Sequence, residues 1–101
     1  MSKTVSLQQI ANELDDHIRK CGGAYSAWYC GIAADPRGRL FTDHQVNEKK
    51  DAWILRDCGS HDAARKVEAH FHAKGCQGAG GGGDGDTRYV YAYKVTAQTC
   101  E

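Results

Sequence analysis

Residues 87–96 place a tyrosine at every second position from Tyr89 to Tyr93, and this alternation limits the fold more than anything else in the chain. Tyr89, Tyr91, Tyr93 and Val95 fall on one side and Val90, Ala92 and Lys94 on the other, the two-residue period of a strand. Residues 24–33 alternate as well, with Trp28, Cys30 and Ile32 opposing Tyr25, Ala27 and Tyr29. Apolar bulk on both sides predicts that this segment is a central strand. Residues 52–57 (AWILRD) supply a third, shorter one.

Between the strands the apolar period lengthens. Leu7, Ile10, Ala11, Leu14, Ile18 and Cys21 recur at helical spacing, with Asp15, Asp16, Arg19 and Lys20 off that face. Ser6 followed by Gln9 matches a capping box, and Gly22 a left-handed stop. Asp35-Pro36 is an N-cap with proline at the first helical position; it predicts a short helix through Leu40 and Phe41 to about His44, weakened by Gly38. Ser60 opens another helix, with Ala64, Val67 and Phe71 on its apolar face and Gly75 at its end. The predicted order is α-β-α-β-α-β, a small single α/β (α+β) domain over residues 1–101 with a three-stranded sheet and flanking helices. Residues 1–5 are expected to form a flexible N-terminus, and residues 75–87 a glycine-rich loop that is costly to order. The same order fits other small α/β sandwiches.

Composition removes several classes of function. Apolar residues make up 41% and charged residues 26%, which is ordinary globular usage and argues against disorder. No apolar run approaches the ~20 residues that cross a bilayer, so no membrane partner is expected. The polar start does not resemble a secretory signal. Cys21, Cys30, Cys58, Cys76 and Cys100 are odd in number and widely spaced, without a CxxC pair. That pattern predicts reduced thiols in a cytoplasmic protein, not a disulfide framework. Thirteen basic residues balance thirteen acidic ones, so the chain lacks the basic excess typical of strong nucleic-acid binders, though a local basic patch stays open.

Residues 29–44 read YCGIAADPRGRLFTDH. A tyrosine and glycine ending a strand, with an arginine ten residues after the tyrosine on a short helix, resemble the second signature of the GIY-YIG endonucleases. Tyr29, Gly31 and Arg39 take those places, Cys30 replaces the usual aliphatic residue, and His44 lies one position later than the family's common histidine. The likeness runs over residues 28–74: a strand follows, then a helix whose Glu68 falls where the family carries its metal-binding carboxylate. It implies a GIY-YIG-like three-stranded sheet with flanking helices, and a Mg²⁺-dependent endonuclease hydrolysing phosphodiester bonds in DNA. The family's first signature is absent ahead of Tyr29, where the first helix and Gly22-Gly23 stand. Residues 91–96 (YAYKVT) look like a degraded form of it. This implies that the C-terminal strand pairs beside Tyr29 and that Tyr93 stands in for the first-signature tyrosine.

Phosphodiester hydrolysis needs a base for water, a cation for the leaving oxygen, and positive charge on the phosphoryl oxygens. The resemblance gives Tyr29 and Tyr93 the positioning or activation of water, Arg39 the scissile phosphate, His44 a proton shuttle and Glu68 the Mg²⁺. A tyrosine must be perturbed from its ordinary pKa near 10 to act as a base. Arg39 offers a planar fork suited to phosphate, and one carboxylate with waters suits Mg²⁺. No separate DNA-reading domain is expected in a chain of this length, so target choice is expected from a protein partner. Each residue also has a plainer role: strand tyrosines pack, and arginines and glutamates on helices are solvated. The alternative is therefore a catalytically inactive GIY-YIG-like module that binds a protein or nucleic acid, favoured by neutral charge and the missing first signature. Two other motifs compete. His70, His72 and Cys76 give H-x-H-x3-C, a zinc-like spacing, but two residues apart on a helix point about 200° from each other. The glycine run lacks the G-K-[ST] ending of a phosphate loop and carries Asp84 and Asp86.

Overall fold

Three strands form one antiparallel sheet in the order β1-β3-β2, where β1 is Trp28–Ala33, β2 is Trp53–Asp57 and β3 is Tyr89–Lys94. The computed structural model describes residues 6–22, 24–78 and 87–99; the expected N-terminal tail and most of the expected glycine-rich loop lie outside these. With two 14-residue helices and a short helical turn around the sheet, the architecture is α+β. The tyrosine-bearing strand, β3, is the central one. This corrects the central place expected for residues 24–33. Tyr93 stands between Tyr29 and Trp53, and Tyr91 between Gly31 and Leu55. Residues 25–27 form a 3₁₀ turn, so β1 starts later than its alternation implied.

β1 buries both faces because each is covered by a different layer, and its outer edge is closed as well. Cys30 N–H donates to the Gln77 carbonyl at 2.9 Å, and Gln77 N–H donates to the Trp28 carbonyl at 2.7 Å. On one face lie α1 (Leu7–Lys20) and α2 (His61–Lys74). Ile10, Leu14 and Ile18 of α1 and Val67 and Phe71 of α2 pack with Trp28, Cys30, Val90 and Ala92 of the sheet. Ser6 Oγ accepts from Gln9 N–H at 3.1 Å, but the return arm of a capping box is missing because the Gln9 amide turns to Glu13 instead. In α2, Ser60 Oγ accepts from Ala63 N–H at 3.1 Å, and Gly75 closes the helix at φ 117°, a left-handed conformation costly for other residues.

The outer edge of β2 is blunted by side chains. Ala52 bonds Lys94 of β3 and Cys58 bonds Arg88 just ahead of it, so the intervening carbonyls of Trp53 and Leu55 alternate outward. The Trp53 backbone bonds the His17 ring, and the Leu55 carbonyl accepts from Arg56 Nη1 at 2.8 Å. Glu13 of α1 then holds Arg56 at 2.6 Å. Such plugs discourage edge-to-edge pairing of sheets.

Cys21, Cys30, Cys58 and Cys76 are free thiols, with Cys30 and Cys76 buried as small apolar groups. Burial pushes Cys58 and Cys76 up to about 11 and Cys30 well above its ordinary value, so these thiols are poor nucleophiles. The Trp28 indole N–H is fully buried with no hydrogen-bond partner among the described residues; its ring meets His17 edge-on at 5.7 Å. No helix among the described residues is long and apolar enough to cross a membrane.

Candidate functional site

The other face of the sheet is covered by the segment that follows Pro36. Asp35 caps it as the Asp-Pro pair predicts, accepting from Gly38 N–H at 3.2 Å through Oδ1 and from Arg39 N–H at 3.1 Å through its carbonyl. The turn then widens over Gly38–Asp43. His44 N–H reaches back five residues to the Arg39 carbonyl at 2.8 Å, and Val46 N–H reaches Leu40 at 2.9 Å. Widened turns of this kind are frequent at functional sites. Here the extra width lets Leu40 enter the core while His44 drops onto the tyrosines.

His44 is buried and joins two strand residues: Nε2 hydrogen-bonds the Tyr91 hydroxyl at 2.8 Å and Nδ1 the Tyr93 hydroxyl at 3.1 Å. Its ring lies 4.6 Å from that of Tyr29, and Tyr29 and Tyr93 stack at 5.3 Å. Gly31 makes room for this arrangement, since a Cβ there would stand 2.7 Å from the Tyr91 hydroxyl and 3.2 Å from the Tyr29 ring. Arg39 completes the group with a hydrogen bond to the Tyr91 hydroxyl, which raises the guanidinium pKa further. Burial pushes Tyr91 up to about 12, although Arg39 opposes the shift. Tyr91 therefore holds its proton and works as a fixed hydrogen-bonding post. The Arg39 side chain stays 48% exposed, and its only ion-pair partner among the described residues is Asp43 at 3.5 Å.

Tyr29, Tyr93, Arg39 and His44 thus converge, with Tyr29 and Tyr93 in direct register as the C-terminal-strand expectation required. Glu68 does not join them. It sits on α2, in the helical layer on the far side of the sheet, and is only 5% exposed. Its neighbouring charges are His72, Arg65 and His61, and burial raises its pKa.

No family model, curated protein or solved structure matches this chain.

The metal expectation can be weighed on the donor set alone. Among the described residues, no group of three His, Cys, Asp or Glu side chains is placed to hold a metal ion. A Mg²⁺ shared between Glu68 and a phosphate at Arg39 does not fit, because the sheet stands between them. The zinc-like triplet is also dispersed: His72 Nε2 bonds the Cys30 carbonyl at 2.8 Å, while His70 packs edge-on against Phe71 at 5.0 Å.

Sequence reasoning missed Tyr91, although its two-residue spacing from Tyr93 puts it on the same face. It also missed a neighbouring group at the start of the turn. The Arg37 guanidinium lies 5.0 Å from the Phe41 ring centre and 5.8 Å from that of Trp53. The two rings meet edge-on at 5.0 Å. Glu48 braces both partners, through an ion pair to Arg37 and a carbonyl that accepts from Trp53 Nε1 at 3.0 Å.

Proposed function

We propose that this chain is a non-cleaving nucleic-acid-binding module on a GIY-YIG-like sheet, with Arg39 as its phosphate-binding group. The observation that carries the reading is the exposed Arg39 guanidinium seated on a buried Tyr91–His44–Tyr93 hydrogen-bond chain. Tyr91 accepts one of the five guanidinium donors and leaves others for phosphoryl oxygens. The Asp43 pair is half-exposed and worth little, so phosphate can replace it. Fixing the guanidinium in advance lowers the ordering cost of binding. Cleavage is not favoured, because Tyr91 and Tyr93 are buried with their hydroxyls engaged and Glu68 lies behind the sheet. The four free thiols among the described residues favour a reducing compartment such as the cytoplasm. A protein partner would supply target choice.

The test is fluorescence anisotropy with labelled DNA. Arg39→Ala is expected to weaken binding at least about tenfold, the scale of a charge-assisted hydrogen bond. Unchanged affinity in that variant would sink the reading. A second reading, a Mg²⁺-dependent endonuclease, draws on the stacked Tyr29–Tyr93 pair beside Arg39. Plasmid nicking with Mg²⁺ that disappears in both Tyr29→Phe and Arg39→Ala would establish it over the first.

A further inference from the structure

We propose that the Phe41–Trp53 ring pair, with Arg37 above it, is a stacking platform for an unpaired thymine of single-stranded DNA; this rests on the nucleic-acid reading of Arg39. The two tryptophans differ sharply in setting. Trp28 is sealed in the helical face of the sheet, while Trp53 and Phe41 are only partly buried and border the tyrosine cluster. A partly open aromatic pair offers a surface every unpaired base can use, whereas the bases of a duplex are already stacked. Arg37 lies within cation–π range of both rings and is itself a plane that can stack on a base or donate to phosphate. Its ion pair with Glu48 is exposed at both ends, 57% and 51%, so exchanging the carboxylate for a phosphate costs little.

Charge selects between unpaired and duplex DNA. The chain has no net charge, and Arg37, Arg39 and Arg88 each have a carboxylate partner. Counterion release, which drives duplex binding by basic proteins, is therefore small, and stacking must supply the affinity. Leu55 and Val95 are partly buried against the same tyrosine cluster as the two rings and give that face an apolar wall. Such a wall suits the 5-methyl group of thymine and offers no side-chain donor or acceptor to a ribose 2′-hydroxyl. Arg37 and Arg39 leave one turn toward different strands, Arg37 over Trp53 of β2 and Arg39 against Tyr91 of β3.

The experiment titrates the protein with labelled oligothymidylate, oligouridylate and duplex DNA of equal length, reading anisotropy and tryptophan emission. Oligothymidylate is expected to bind at least about tenfold more tightly than the duplex and more tightly than oligouridylate, and to quench emission from Trp53. Trp53→Leu is expected to lose the quenching and weaken binding about five- to fiftyfold, as removal of one stacking ring does. Trp53→Phe, which keeps a ring, loses the quenching but retains most of the affinity, and it serves if the leucine variant does not fold. Equal or tighter duplex binding, or full affinity in folded Trp53→Leu, overturns the proposal. Oligouridylate matching oligothymidylate overturns the thymine assignment. Duplex binding that depends on Arg39 but not on Trp53 would remove this platform and leave the preceding reading standing, while no binding to any probe would remove both.

Discussion

At Gly31 the neighbouring strand comes so close that a methyl group would stand 2.7 Å from the Tyr91 hydroxyl and 2.8 Å from the carbon bearing it. Tyr91 cannot swing aside freely, because His44 and Arg39 hold the same hydroxyl. Gly31→Ala is therefore expected to cost about 1–3 kcal/mol in urea unfolding, as overpacking does, and to weaken DNA binding by displacing Arg39. Wild-type stability with wild-type affinity would show that the tyrosine post is not needed. Glu68 presents the opposite problem, a carboxyl only 5% exposed whose pKa burial raises. A carboxyl whose folded pKa exceeds its unfolded value of 4.5 destabilises the fold once ionised. The cost is absent below that value and complete above the raised one. Glu68→Gln should thus match wild type in acid and exceed it by about 1 kcal/mol near pH 7. Thermal unfolding at several pH values reads the gap, and a gap that is constant with pH would contradict it.

Among the elements, the two long helices were legible in the sequence because their ends are local chemistry. Ser6, Ser60 and Gly75 act on residues three or four positions away, and each caps its helix, Ser6 without the return arm its spacing foretold. Ser60→Ala should consequently lower stability by about 1 kcal/mol in denaturant melts. Strand order was not legible in the same way. Residues 24–33 and 87–96 both alternate, and nothing local says which of two such strands takes the middle; burial of β1 on two faces comes from distant layers. The side of the sheet on which Glu68 falls was hidden for a related reason. Helical periodicity tells which residues face inward, but not which sheet face receives them. Tyr29, Arg39 and His44 could be grouped because they lie within one short segment, and Tyr93 joined them only through the register. The plugged edge of β2 yields its own prediction. The double variant His17→Ala, Arg56→Ala opens the Trp53 and Leu55 backbone, and analytical ultracentrifugation should detect concentration-dependent self-association absent from wild type.

For the molecule as a whole, balanced charge sets how binding responds to salt. If Arg37 and Arg39 each take one phosphate, log affinity for a single strand should fall with log salt at a slope of about −1.4. A much steeper slope would mean that more cations take part than these two. The position of β3 between β1 and β2 has a consequence for how the chain is made. While residues 89–94 are still inside the ribosome, neither earlier strand has its neighbour, and the tyrosine face lacks two of its three stacked rings. A nascent polypeptide at that stage holds amphipathic helices with nothing to lie on. It is a natural client for chaperones that shield apolar surface during translation. Emergence of one six-residue segment then completes sheet, core and tyrosine face in a single event, so a chain halted at residue 88 should remain open to proteases.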